Sequence, residues 1–88
     1  MAMKTWTVQV TLDERGDETD AAAVLDIQNK TELRGHGTSH RNPSDPSVPT
    51  IGDELAAARA LSDLAHRLLD TAAHDIESST RTPAHPNL

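Results

Sequence analysis

Three prolines in a seven-residue span, Pro43, Pro46 and Pro49, divide this chain into two parts that cannot share one kind of secondary structure. Proline fixes φ and lacks an amide hydrogen, so residues 40–50 can be neither a helix interior nor a central strand. Asn42, Ser44, Asp45 and Ser47 add turn formers, which makes the segment an ordered connection. Before it the apolar residues alternate; after it they recur at three- and four-residue spacing. This change of period predicts an α+β domain, with strands first and one long helix last.

In the first part, Trp6, Val8, Val10 and Leu12 alternate with Thr5, Thr7, Gln9 and Thr11, predicting a strand over 4–12 with one buried face. Residues 13–17 read as a turn, with Gly16 supplying a positive φ. The segment 19–28 is ambiguous because Ala21, Ala22 and Ala23 favour a helix, whereas Thr19, Val24 and Ile27 favour a strand. Alternation of Ala21, Ala23, Leu25 and Ile27 with Asp20 and Asp26 decides for a second strand. A turn at Asn29, Lys30 and Thr31 leads into a third strand over 32–39, where Gly35 and Gly37 signal a bulge or a close backbone approach. The expected sheet is three-stranded and antiparallel, in a β-β-β-α order.

The second part opens with Thr50 three residues before Asp53, an approximate capping box that predicts a helix start. Ile51, Leu55, Ala58, Leu61, Ala65, Leu68, Ala72 and Ile76, widened by Leu64 and Leu69, form the expected buried stripe. Glu54, Arg59, Asp63, Arg67, Asp70 and His74 form the opposite, solvated face, with Asp63 and Arg67 one turn apart in the favourable orientation. Periodicity ends after Ile76. The reading is a single domain over 1–76 and a disordered tail over 77–88.

With 88 residues and one aromatic, Trp6, the core must be aliphatic and small. Small domains gain stability from disulfides, metals or a second subunit. The sequence has no cysteine, which removes disulfides, thiolate metal sites and cysteine nucleophiles, so oligomerisation, expected as a homodimer, is the remaining aid. A homodimer formed by edge pairing or helix packing would cover Val24 and Ala22 on the sheet face away from the helix. No apolar run approaches the ~18 residues of a membrane span, and the amino terminus lacks a signal-like pattern, which predicts a cytoplasmic protein. The net charge of −6 opposes binding to phosphate backbones except through a local patch.

Trp6 to Val10, the loop from Arg41 to Pro46 and the run NPxDPxVPxIGDELAxARAL, which starts at Asn42, together carry a family resemblance. The chain resembles a family of small uncharacterised actinobacterial proteins known as a domain of unknown function, over roughly its first 70 residues. The resemblance implies a fold like that of the double-stranded-RNA-binding domain, and no activity. That fold class includes RNA binders and ribosome-associated stasis factors, so a stress- or ribosome-linked role is implied by analogy. Its RNA binders place lysines at the start of the last helix, where this chain has Asp53 and Glu54, and that argues against direct dsRNA binding.

Arg34, His36, His40 and Arg41 form a local basic cluster, suited to an anion or a partner surface. Asn42 and Asp45 extend it into the proline loop, where rigid loops often carry binding residues. These six residues are the candidate partner-binding set, with a protein or the ribosome as partner. His66, Asp70 and His74 step by four along the helix, but the two histidines are about 12 Å apart by helix rise and cannot share one ion. Ser39, His40 and Asp45 supply the residue types of a hydrolytic triad without a nucleophile elbow or phosphate loop. No catalytic residue, metal or cofactor is assigned, and the reading is a non-enzymatic interaction module.

Overall fold

Gly16 adopts φ +60°, the left-handed conformation that a two-residue hairpin turn requires. It joins β1 (Val8–Arg15) to β2 (Glu18–Leu25); β3 (Leu33–His40) and α1 (Pro49–Thr80) follow in the computed structural model, which describes residues 2–27 and 32–80. The strands form an antiparallel meander in the order β1-β2-β3, with the helix against one face. The predicted α+β class and the β-β-β-α order are both observed. β1 begins and ends later than the pattern suggested, because the acidic residues Asp13 and Glu14 extend the ladder opposite Asp20 and Thr19. The turn expected at Asn29, Lys30 and Thr31 lies outside the described residues.

The registers place side chains in rows across the helix-side face. Gly37, Ala21 and Leu12 form one row; Gly35, Ala23 and Val10 the next; Leu33, Leu25 and Val8 a third. In the first two rows residue size rises from glycine on β3, through alanine on β2, to Leu or Val on β1. The helix rests where the residues are smallest. A Cβ on Gly35 would lie 2.8 Å from Leu64 Cβ, and closer still to the Ala60 carbonyl oxygen and the Leu64 nitrogen. One on Gly37 would collide with the Ala60 nitrogen and the Ala56 carbonyl oxygen. Of the two readings open for these glycines, the close backbone approach is the one found.

That approach decides which residues are buried. The core is Ala21, Ala23 and Leu25 from β2 with Ala56, Ala60 and Leu64 from α1, and Ile27, Leu33 and Leu68 pack around it. The face predicted to be buried in the first strand is not covered: Val8, Val10 and Leu12 are 36–42% exposed and Trp6 is 57% exposed. The helix lies over β3 and β2, leaving the larger β1 side chains beside it. The expected helix stripe is likewise displaced, since Ile51, Leu55, Leu61 and Ile76 are exposed while the alanines carry the contact. The seat against the Gly/Ala bed is made by Ala56, Ala60 and Leu64, so much of the hydrophobic period points to the flank of the helix rather than to its seat.

Pro49, not Thr50, opens α1, in keeping with the preference for proline at the first helical position. The Ile51 amide donates to the Val48 carbonyl at 3.0 Å. The predicted capping box is therefore absent, and no acidic residue falls in the first turn. The helix runs through Thr80, four residues past its predicted end. At 32 residues it is about 48 Å long, and it accounts for the 53 Å long axis of the molecule. Among the described residues, Leu68 is the last helix side chain in the core cluster.

Candidate functional site

Alternation along β3 sends Arg34, His36, Thr38 and His40 to the face away from the helix, opposite Val24, Ala22, Asp20 and Glu18 of β2. The structure thus aligns three of the predicted site residues, Arg34, His36 and His40, in one column. The column is not purely basic. Arg34 Nε donates to Glu32 at 2.9 Å, and Thr38 Oγ1 donates to Asp20 at 3.0 Å. On β1, Arg15 is bound to Asp13, whose hydrogen bond and charge raise the guanidinium pKa above its ordinary value.

Arg41, Asn42 and Asp45 belong to a different place. Arg41 Nε donates to Asp17 at 3.0 Å, Nη1 donates to the Asp45 carbonyl, and the Arg41 amide donates to the Asp17 carbonyl at 2.8 Å. Arg41 clasps the β1–β2 turn to the proline loop, and its donors are committed to the fold. Asn42 Oδ1 accepts from the Ser44 amide at 3.1 Å and its hydroxyl at 3.0 Å, an Asx turn. A cavity of about 370 Å³ lies between this loop, the hairpin turn and the start of the helix. Ser39 is buried beside it and donates its hydroxyl to the Gly52 carbonyl at 2.8 Å. Ser39, His40 and Asp45 all line this cavity, but strand alternation turns the His40 side chain to the face opposite Ser39, and among the described residues no hydrogen bond links the three.

A further surface is apolar and lies outside the candidate set. Val8, Val10 and Leu12 line the helix-side face of β1, Trp6 is exposed two residues before the strand begins, and Leu61 is exposed on the helix. The two edges of the sheet are treated differently. On β3 the His36 amide donates to Asp63 at 2.8 Å, and Arg59 Nη1 donates to the Thr38 carbonyl at 2.7 Å. Asp63 also accepts from Arg67 Nε at 3.2 Å. The His36 amide and then the Arg67 guanidinium hold the Asp63 carboxyl below its ordinary pKa. The sequence presented Asp63 only as half of a solvated helix pair; its second role depends on the placement of the helix along β3, which spacing does not encode. On β1, among the described residues, no side chain is bonded to the strand edge. From residue 8 to residue 12 that edge carries no charge and no proline.

The family model described as Rv2632c-like matches residues 4–85. The chain belongs to the Rv2632c-like family. Relatives of this chain include the uncharacterized protein Mb1767 of Mycobacterium bovis, 51% identical over 79 residues, covering 90% of this chain and 83% of the relative. The uncharacterized protein Rv2632c of Mycobacterium tuberculosis is 42% identical over 80 residues, covering 91% and 85%. The crystal structure of Rv2632c superposes with a TM-score of 0.84 at 41% identity, covering 94% of this chain and 98% of that one. The expected membership in a small uncharacterised actinobacterial family is thereby established. Among the described residues no helix is long and apolar enough to cross a membrane.

Proposed function

We propose that this Rv2632c-like chain is a non-enzymatic, cytoplasmic protein-interaction module whose working surface is the helix-side face of β1 and the adjoining helix flank. The observation that carries the reading is the exposure of Val8, Val10 and Leu12 together on one strand face, with Trp6 exposed just before the strand. Isolated apolar residues on a surface need no explanation, but a contiguous row on a regular element suits a partner. A tryptophan at the end of the row adds the residue type most enriched at binding hot spots.

A phosphate-binding, ribosome-linked role would instead use Arg34, His36 and His40. It has weaker support, because Glu32, Asp20 and Glu18 stand beside that column and the chain is acidic as a whole. The two surfaces lie on opposite faces of one sheet, so one substitution on each separates them. Tagged chain is recovered from host lysate at low and high salt, alongside Val10→Lys and His36→Glu. Capture that resists salt and is lost in Val10→Lys supports the apolar surface, since phosphate contacts weaken steeply with salt and apolar ones do not. Capture of ribosomal proteins that is lost at high salt and in His36→Glu, yet survives Val10→Lys, would overturn it.

A further inference from the structure

We infer that the partner of this surface is a second copy of the chain, paired antiparallel through β1 about a two-fold axis at Val10. The inference rests on the interaction-module reading and adds the identity and geometry of the partner. Three independent features of the molecule lead to it.

The first is closure. A sheet can grow from either edge, but here Asp63 and Arg59 occupy backbone groups on the β3 edge. A β1 edge that met the β3 edge of the next copy would propagate without end, and those two side chains obstruct it. Pairing of β1 with itself is isologous and stops at two copies.

The second is self-complementarity. With Val10 opposite its symmetry mate, Val8 faces Leu12 of the partner subunit and Leu12 faces Val8 of the partner subunit, while Gln9 and Thr11 pair on the other face. The central cross-strand pairs on the helix side of the seam, Val10 with its mate and Val8 with Leu12 twice, are then all aliphatic, and Trp6 faces Glu14 of the partner subunit at either end. The six-stranded sheet would carry both helices on one face. The aliphatic rows of the two β1 strands would form one continuous floor between them, with a Trp6 at each end.

The third is charge. The same register carries Lys4 of each copy toward the β1–β2 turn of the other, where Asp13, Glu14, Asp17 and Glu18 cluster. Within its own chain Lys4 lies at the opposite end of the strand from that acidic turn. Antiparallel pairing therefore brings opposite charges together, and a parallel pairing would stack the acidic turns on each other.

Sedimentation equilibrium of the full chain at micromolar concentration, combined with a nitroxide pair on Asp13→Cys, tests the inference. The expected mass is twice the 9.5 kDa of one chain. The register separates the two labelled backbones by about 20 Å, six residues along the paired strands. Val10→Lys, or Leu12→Lys should the first variant not fold, is expected to halve the mass with an unchanged far-ultraviolet spectrum, whereas Val24→Lys on the other face leaves a dimer. A monomeric mass for the unmodified chain overturns the inference, as does a dimer whose labels lie beyond 40 Å or so, twice the paired-strand separation. A monomer whose salt-resistant capture still disappears in Val10→Lys would leave the interaction-module reading standing and refute only self-pairing.

Discussion

Replacing Gly35 with alanine adds a single methyl group, and the seating of the helix gives that change an unusually large cost. At a position with room, Gly→Ala stabilises by about 0.4–1 kcal/mol because the unfolded chain loses freedom. Gly35 does not use a positive φ, so the backbone itself would accept alanine. The obstacles are the Ala60 carbonyl oxygen, the Leu64 nitrogen and the Leu64 Cβ at 2.8 Å, none of which can rotate away. Overpacking against movable side chains costs about 1–3 kcal/mol, and a fixed helix backbone places this substitution at or above the top of that range. The helix must lift, and a gap of about 0.5–1 Å forfeits a quarter to a half of the dispersion energy along the Ala56, Ala60 and Leu64 seat. A net loss of about 3 kcal/mol is expected, from a total of about 4–13 kcal/mol for a chain of this length. In urea, with a slope of about 1–3 kcal/mol/M, the midpoint should fall by about 1 M or more. Gly16→Ala is the control: its surroundings are open and its φ of +60° costs only ~1–2 kcal/mol. A Gly35→Ala midpoint equal to that of the unmodified protein, or a loss smaller than that of Gly16→Ala, would refute the placement of the helix on β3.

Asp63→Asn should destabilise the protein at neutral pH and reduce its acid sensitivity. The folded-state pKa of Asp63 lies below the ordinary carboxylate value near ~3.9, so its contribution is complete above that value and is lost as pH falls through the lower folded pKa. Urea titrations between about pH 2 and pH 6 check this, because the pH dependence of the variant should be flatter there. Arg41→Ala releases the hairpin turn from the proline loop; about 1 kcal/mol should be lost, seen as a fall of roughly 4–8 °C in melting temperature. Ser39→Ala removes the hydroxyl donor to the Gly52 carbonyl and should cost about 1 kcal/mol, and an unchanged melting temperature would show that the bond contributes nothing.

The order of elements was legible because period two and period 3.6 are backbone geometries written directly in side-chain spacing. Gly16 and the proline loop were legible for the same local reason. Burial was not. Val8, Val10 and Leu12 have the pattern of a covered face, yet what covers a face is decided by a segment more than thirty residues away. The clue lay in Gly35 and Gly37, whose missing side chains mark the seat of the helix, and in the alanines at positions 56 and 60 that match them. The candidate site was legible in part: Arg34, His36 and His40 do share a face, because they are two and four residues apart on one strand. Arg41, Asn42 and Asp45 were separated from them by the end of the strand, and Arg41 by the ion pair with Asp17, a partner twenty-four residues earlier. The apolar row of β1 carries the pattern of a core strand, and that pattern does not distinguish a buried face from an exposed one.

The helix outlasts the sheet that supports it. Beyond Leu68 its last twelve residues hold no member of the described core, so their amides can open by fraying, without the rest of the domain coming apart. Hydrogen exchange along this one helix should therefore change regime near Leu68: slow and governed by whole-domain unfolding upstream, fast and nearly independent of global stability downstream. A destabilising change in the Gly/Ala seat would accelerate the first group and leave the second untouched, making the helix an internal reference for its own anchoring.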